Sequence, residues 1–146
     1  MLYRSAMLTM TLLLMLQGLI APLEVDLADK SAMHITVDRE EGQYLGHPSS
    51  VLLADGKTVL CVYPKGHGPG ALILKRSEDG GRTWSERLDV PASWSSSKET
   101  PHVYEMLDAA GKRRLILFSG LYPIRTSISE DDGATWSELA PVGEYG

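Results

Sequence analysis

Cysteine is almost absent from this chain of 146 residues. Cys61 stands alone, so no intrachain disulfide can form, and its place in an apolar stretch reads as a small buried residue rather than a nucleophile. Dense positive charge is lacking too. Lys and Arg number 14 against 19 Asp and Glu, a formal net charge of −5, which argues against nucleic acid as a partner. The one compact basic run, Lys112-Arg113-Arg114, follows a turn signal and reads as a solvated turn. Cys61 and the four histidines show no metal-ligand spacing, so no metal is expected, and no cofactor either. Long apolar runs are missing except at the start, from Ala6 to Leu23 behind Arg4. That run reads as a secretory signal, with an uncleaved anchor or a true start at Met33 as alternatives. The expected location is therefore secreted or periplasmic, with no membrane contact beyond a possible N-terminal anchor.

What the chain does have is a repeat. Ser77-Glu78-Asp79-Gly80-Gly81-Arg82-Thr83-Trp84 returns as Ser129-Glu130-Asp131-Asp132-Gly133-Ala134-Thr135-Trp136, sharing Ser-x-Asp-x-Gly-x-Thr-Trp. Self-similarity at this spacing marks an array of equivalent supersecondary units. Upstream, Asp55-Gly56-Lys57 aligns with Ala110-Gly111-Lys112. The same shift sets Val51-Leu52 on Met106-Leu107 and Leu60-Cys61-Val62-Tyr63 on Leu115-Ile116-Leu117-Phe118. Each copy reads as four short antiparallel strands, near 49–54, 58–63, 71–77 and 83–90, then near 102–108, 113–119, 124–129 and 135–140. Four such strands make one propeller blade. A calcium-loop reading of Asp131-Asp132-Gly133 fails, because the alternating oxygen ligands and the terminal Glu are missing.

The repeated octapeptide resembles the Asp-box, or bacterial neuraminidase repeat, of the sialidase superfamily. The resemblance covers roughly residues 44–146. It implies an all-β chain holding part of a sialidase-like β-propeller, about two four-stranded blades of a ring of about six. Blade one would span about 44–92 and blade two about 93–142, behind a signal or anchor at 1–28 and a linker at 29–43. Two blades leave the ring unclosed, so the chain is expected to be an incomplete stretch; several short chains assembling into one ring is the alternative. In that family the box turns between the third and fourth strands of a blade. The chemistry suits the placement. Ser77, Asp79, Ser129 and Asp131 can hydrogen-bond nearby backbone, Gly81 and Gly133 can take positive φ, and Thr83 and Thr135 can resume the strand. Trp84 and Trp136 would bury a ring between sheets. All ten residues are assigned a structural role.

With the boxes on one side of the disc, the resemblance puts ligands on the other, at the loops 43–48, 64–70, 93–101 and 120–125. Lys65 and His67 in a Gly-rich loop could receive a carboxylate or hydroxyls, and Arg125 could hold a carboxylate bidentately. Trp94 and Tyr122 could stack on a sugar face, and Glu99 could serve as a general acid or base. His47 is a further candidate, although His47 and His102, both beside Pro, could instead satisfy backbone groups at strand starts. The substrate-binding set is thus His47, Lys65, His67, Glu99 and Arg125, with a carbohydrate, in particular an acidic sugar, as the expected partner. Two departures weigh against sialic acid hydrolysis. The family's Arg in a Phe/Tyr-Arg-Ile-Pro lead-in falls on Gly46 of Tyr44-Leu45-Gly46-His47-Pro48, and its acid/base Asp has no counterpart between Lys57 and Glu78. The family's Tyr nucleophile belongs to later blades, so no catalytic residue is assigned. Two functions stay open: a sialidase-like glycoside hydrolase, or a non-catalytic propeller module that binds glycans or proteins.

Overall fold

A computed structural model describes residues 23–143 of the chain. The proposed signal or anchor run lies outside these residues up to position 22, and none of the described helices is long and apolar enough to cross a membrane. The chain divides into two units, 1–34 and 35–146. In the first, the described part carries one short 3-10 turn, Ser31–Met33, and His34 Nε2 hydrogen-bonds Leu27 O at 2.9 Å.

The second unit is all-β. Strands β1 (Ser49–Leu52), β2 (Val59–Pro64) and β3 (Leu72–Ser77) form one antiparallel sheet in the order β1-β2-β3. Strands β4 (His102–Leu107), β5 (Arg113–Ser119), β6 (Arg125–Ser129) and β7 (Ala140–Pro141) form a second, in the order β4-β5-β6-β7. A 3-10 helix at Ala92–Ser96 connects them. Six of the expected strands are present, with ends within two residues of those expected. The fourth of each copy differs. Residues 83–90 form no strand, and in the second sheet only Ala140–Pro141 pairs regularly. The reason is a serine just after each Trp. Ser85 Oγ accepts the N–H of Arg76, and Ser137 Oγ accepts that of Ile128, where a strand carbonyl would otherwise serve. Isolated backbone bonds still hold each segment to its sheet, Ser85 N to Arg76 O, Leu88 N to Leu74 O and Ser137 N to Ile128 O.

The copies also superpose in a different register from the one expected. Ser77 faces Val59 and Ser129 faces Leu115, so Val59, not Leu60, is the counterpart of Leu115. By the same ladders, Val51-Leu52 match Tyr104-Glu105 rather than Met106-Leu107. The shared Gly-Lys turn misleads because the second hairpin is longer. Its pairing continues through Met106↔Arg114 and Leu107↔Arg113 before the turn closes with Asp108 N to Lys112 O. A shift of one residue reverses every side chain in a strand. Thus Leu60, Val62, Leu72 and Leu74 line one face of the first sheet, while Val103, Leu115 and Leu117 line the opposite-sense face of the second. These faces meet in one core, so the two sheets stack front to back.

Trp94 fills that core with no exposed surface. Its indole N–H donates to Ser127 Oγ at 3.1 Å, and its ring meets Trp136 edge-on at 5.4 Å. The expectation that Trp94 stacks on a sugar is therefore corrected: the ring is needed between the sheets. Trp136 packs against the core as expected, whereas Trp84 is half-buried and outside it. The second box packs on the first sheet, but the first box has no preceding sheet among the described residues. Cys61 is buried, as expected, and burial pushes its thiol up to about 11, with Lys75 opposing.

Candidate functional site

The two repeated turns have the same internal wiring. Ser77 Oγ donates to Asp79 Oδ1 (2.8 Å) and accepts from Gly81 N (2.8 Å). Asp79 then accepts from Thr83 N (2.9 Å) and Thr83 Oγ1 (2.6 Å). In the second turn Ser129, Asp131, Gly133 and Thr135 repeat these bonds at 2.8, 2.9, 2.9 and 2.6 Å. The indole N–H of Trp84 donates to Gly81 O, and that of Trp136 to Gly133 O. Hydrogen bonds from Thr83, its hydroxyl before its N–H, hold the Asp79 carboxyl down to about 2, and the same bonds from Thr135 lower that of Asp131. Every polar group that defines the motif is thus turned inward on the turn itself. Gly133 also fixes the packing of sheets, since a Cβ there would lie 2.3 Å from Leu60 Cδ1, and Arg76 Nη1 donates to Asp132 O across the same junction.

The chemistry gathers instead where the chain leads into β1 and β4. Val103 N of β4 donates to Ser49 Oγ of β1 at 3.1 Å, and Gly70 N, in the loop between β2 and β3, donates to Ser97 O in the lead-in to β4 at 3.2 Å. Between the two lead-ins opens a cleft of about 650 Å³, lined by His47, Pro48, Glu99, Thr100, His102 and Phe118 among others. Glu99 Oε1 accepts from Thr100 N (2.9 Å) and Thr100 Oγ1 (3.3 Å), which fixes the carboxylate at the cleft wall. The same oxygen lies against the first sheet's loop, where a Cβ on Gly68 would come within 3.2 Å of it.

A ring cluster stands behind His47. His47 and His67 meet edge to face at 4.4 Å, and Tyr44 stacks on His67 at 5.7 Å. His47 holds φ of 50°, a left-handed conformation uncommon for a residue with a side chain, and sits directly before Pro48. Gly46 makes this arrangement possible. The Tyr44 ring covers it so closely that a Cβ on Gly46 would lie 2.1 Å from Tyr44 Cε1. No side chain fits at 46 while Tyr44 stays there.

Of the five substrate-binding candidates, His47 and Glu99 line the cleft and His67 backs His47. Lys65 and Arg125 are drawn elsewhere. Lys65 Nζ pairs with Glu40 Oε1 at 2.8 Å, within a network in which Arg87 binds Glu40 Oε2 (2.6 Å) and Asp38 Oδ2 (2.8 Å). The Tyr63 hydroxyl also donates to Asp38, at 2.5 Å. Burial raises the Asp38 carboxyl, but the hydrogen bonds from Tyr63 and Arg87 outweigh it and the net shift is downward. Arg125 spends Nη1 and Nη2 on Ser96 Oγ and Ser96 O, at 3.2 and 2.8 Å. Tyr122 is exposed beside Arg125 and Lys98 in a separate, smaller groove of about 170 Å³.

His102 and Phe118 complete the site without having been assigned to it. Their signal was present only in part: His102 and His47 each neighbour a proline at a strand start, but Phe118 enters through its register against His102. Among the described residues no group of three His, Cys, Asp or Glu side chains is arranged to hold a metal ion. No protein-family model matches the chain, and a search of curated proteins finds no match.

Proposed function

We propose that residues 35–143 are two neighbouring blades of a sialidase-like β-propeller and that the cleft between their lead-ins binds a glycan. The observation that carries this reading is the meeting of a fixed carboxylate, two imidazoles and an aromatic face in one open cleft, at the end of the sheets remote from the box turns. Sugars are recognised by such sets, with hydroxyls on polar groups and the C–H face on aromatic or aliphatic surface. Front-to-back stacking of two sheets with the same turn supports the propeller. The far face of the second sheet exposes Tyr104, Met106 and Ile128 beside His102 and Phe118, which suits a further blade, in this chain or another, that would also border the cleft. A glycoside hydrolase would use Glu99 as its acid or base. A non-catalytic glycan-binding module is the second reading, favoured by Glu99 being the one carboxylate lining the cleft among the described residues, where glycoside hydrolysis ordinarily uses a pair. The N-terminal apolar run fits export to a secreted or periplasmic location.

The test is a glycan array probed with the full chain, and with His47→Ala and Glu99→Gln. Retention of a defined glycan class that His47→Ala weakens supports the cleft. Turnover by wild type that Glu99→Gln abolishes, with binding kept, selects the hydrolase. Retention unaffected by either change contradicts the site.

A further inference from the structure

We infer that the ligand of this cleft is an uncharged sugar, not one recognised through a carboxylate or other anionic group. The inference rests on the glycan reading above and narrows it. A carboxylate is held most strongly by a guanidinium or ammonium group that faces it with free donors. Among the described residues no Lys or Arg side chain lines the cleft. Lys65 is neutralised by Glu40, and Arg87 by Asp38 and Glu40. Arg125 turns both terminal nitrogens onto Ser96, and Lys98 lines the neighbouring groove.

Among the described Asp, Glu, Lys and Arg side chains Glu99 alone lines the cleft, and its carboxylate accepts hydrogen bonds from hydroxyls and repels an anion. Only Oε1 of Glu99 is engaged by protein among the described residues, so Oε2 is open to a sugar hydroxyl. Phe118, Ile124 and Pro48 offer apolar surface for the C–H face of the ring.

The experiment uses the full chain against matched pairs of oligosaccharides that differ only in the terminal sugar. One member ends in galactose, mannose, fucose or xylose, and the other in sialic, glucuronic or galacturonic acid. The expected result is preference for the neutral member by about tenfold or more. Glu99→Gln narrows that preference by relieving the repulsion, while Arg125→Ala leaves it unchanged. Equal or tighter binding of the acid-terminated members overturns the inference and leaves the glycan reading standing. Retention of neither class overturns the glycan reading and the inference with it. Thermal melting of each variant separates loss of binding from loss of fold.

Discussion

Replacing Gly133 by Ala tests whether the second box turn is wedged against the first sheet. The residue has φ of +82°, where an L side chain costs about 1–2 kcal/mol. Its new Cβ would also lie 2.3 Å from Leu60 Cδ1, with Leu115 Cδ1 at 3.5 Å. Leu60 is fully buried, so it yields only by disturbing the core, and such overpacking costs roughly 1–3 kcal/mol more. Gly81 is the internal control. It has φ of +87° in the same turn of the first copy, but a Cβ there meets nothing nearer than Trp84 Cζ2 at 3.8 Å. Gly81→Ala should therefore carry only the backbone cost. In urea unfolding of the full chain, Gly133→Ala should lose about 2–5 kcal/mol and Gly81→Ala about 1–2. Leu60→Val removes the clashing atom at about 1 kcal/mol. In that background the cost of Gly133→Ala should fall to that of Gly81→Ala. Equal costs for the two glycines in the wild-type background would refute the wedge.

Two further outcomes follow from the same geometry. The Asp79 carboxyl is held near 2 in the folded chain against about 4 when unfolded, so its stabilisation is present above pH ~4 and fades as the pH falls toward ~2. The melting temperature of Asp79→Asn, followed over that range, should fall less steeply than that of wild type, and parallel curves would contradict the assignment. Trp94→Ala empties the interface between sheets and should cost about 3–5 kcal/mol, enough to reduce the cooperative unfolding transition sharply; a loss below 1 kcal/mol would mean that the two sheets do not share a core.

The box turns were legible because every bond in them joins residues at most four apart, from Ser77 to Gly81 and from Asp79 to Thr83. Six of the eight expected strands were legible for the same local reason, whereas residues 83–90 form no strand. Register was not, because the Gly-Lys turn recurs at the tip of a hairpin that is longer in the second copy, and local matching followed the turn rather than the ladder. The site was legible in its polar members His47 and Glu99. The fates of Lys65 and Arg125 were not, since Glu40 lies 25 residues from Lys65, and Ser96 29 from Arg125. Trp94 was misassigned on exposure because its partner, Ser127, is 33 residues away. Gly46 was read as a departure from an arginine, and the ring of Tyr44 lying over it became visible only with coordinates.

The central claim is that ligand binding belongs to the lead-in cleft and not to the conspicuous repeated turns. Amide chemical-shift mapping of the full chain, titrated with the neutral oligosaccharide it binds most tightly, tests this directly. The predicted shifts fall at His47, Glu99, Thr100, His102 and Gly120, with Asp79, Gly81, Asp131 and Gly133 unmoved. Shifts concentrated at the four turn residues, with the cleft unmoved, would contradict it.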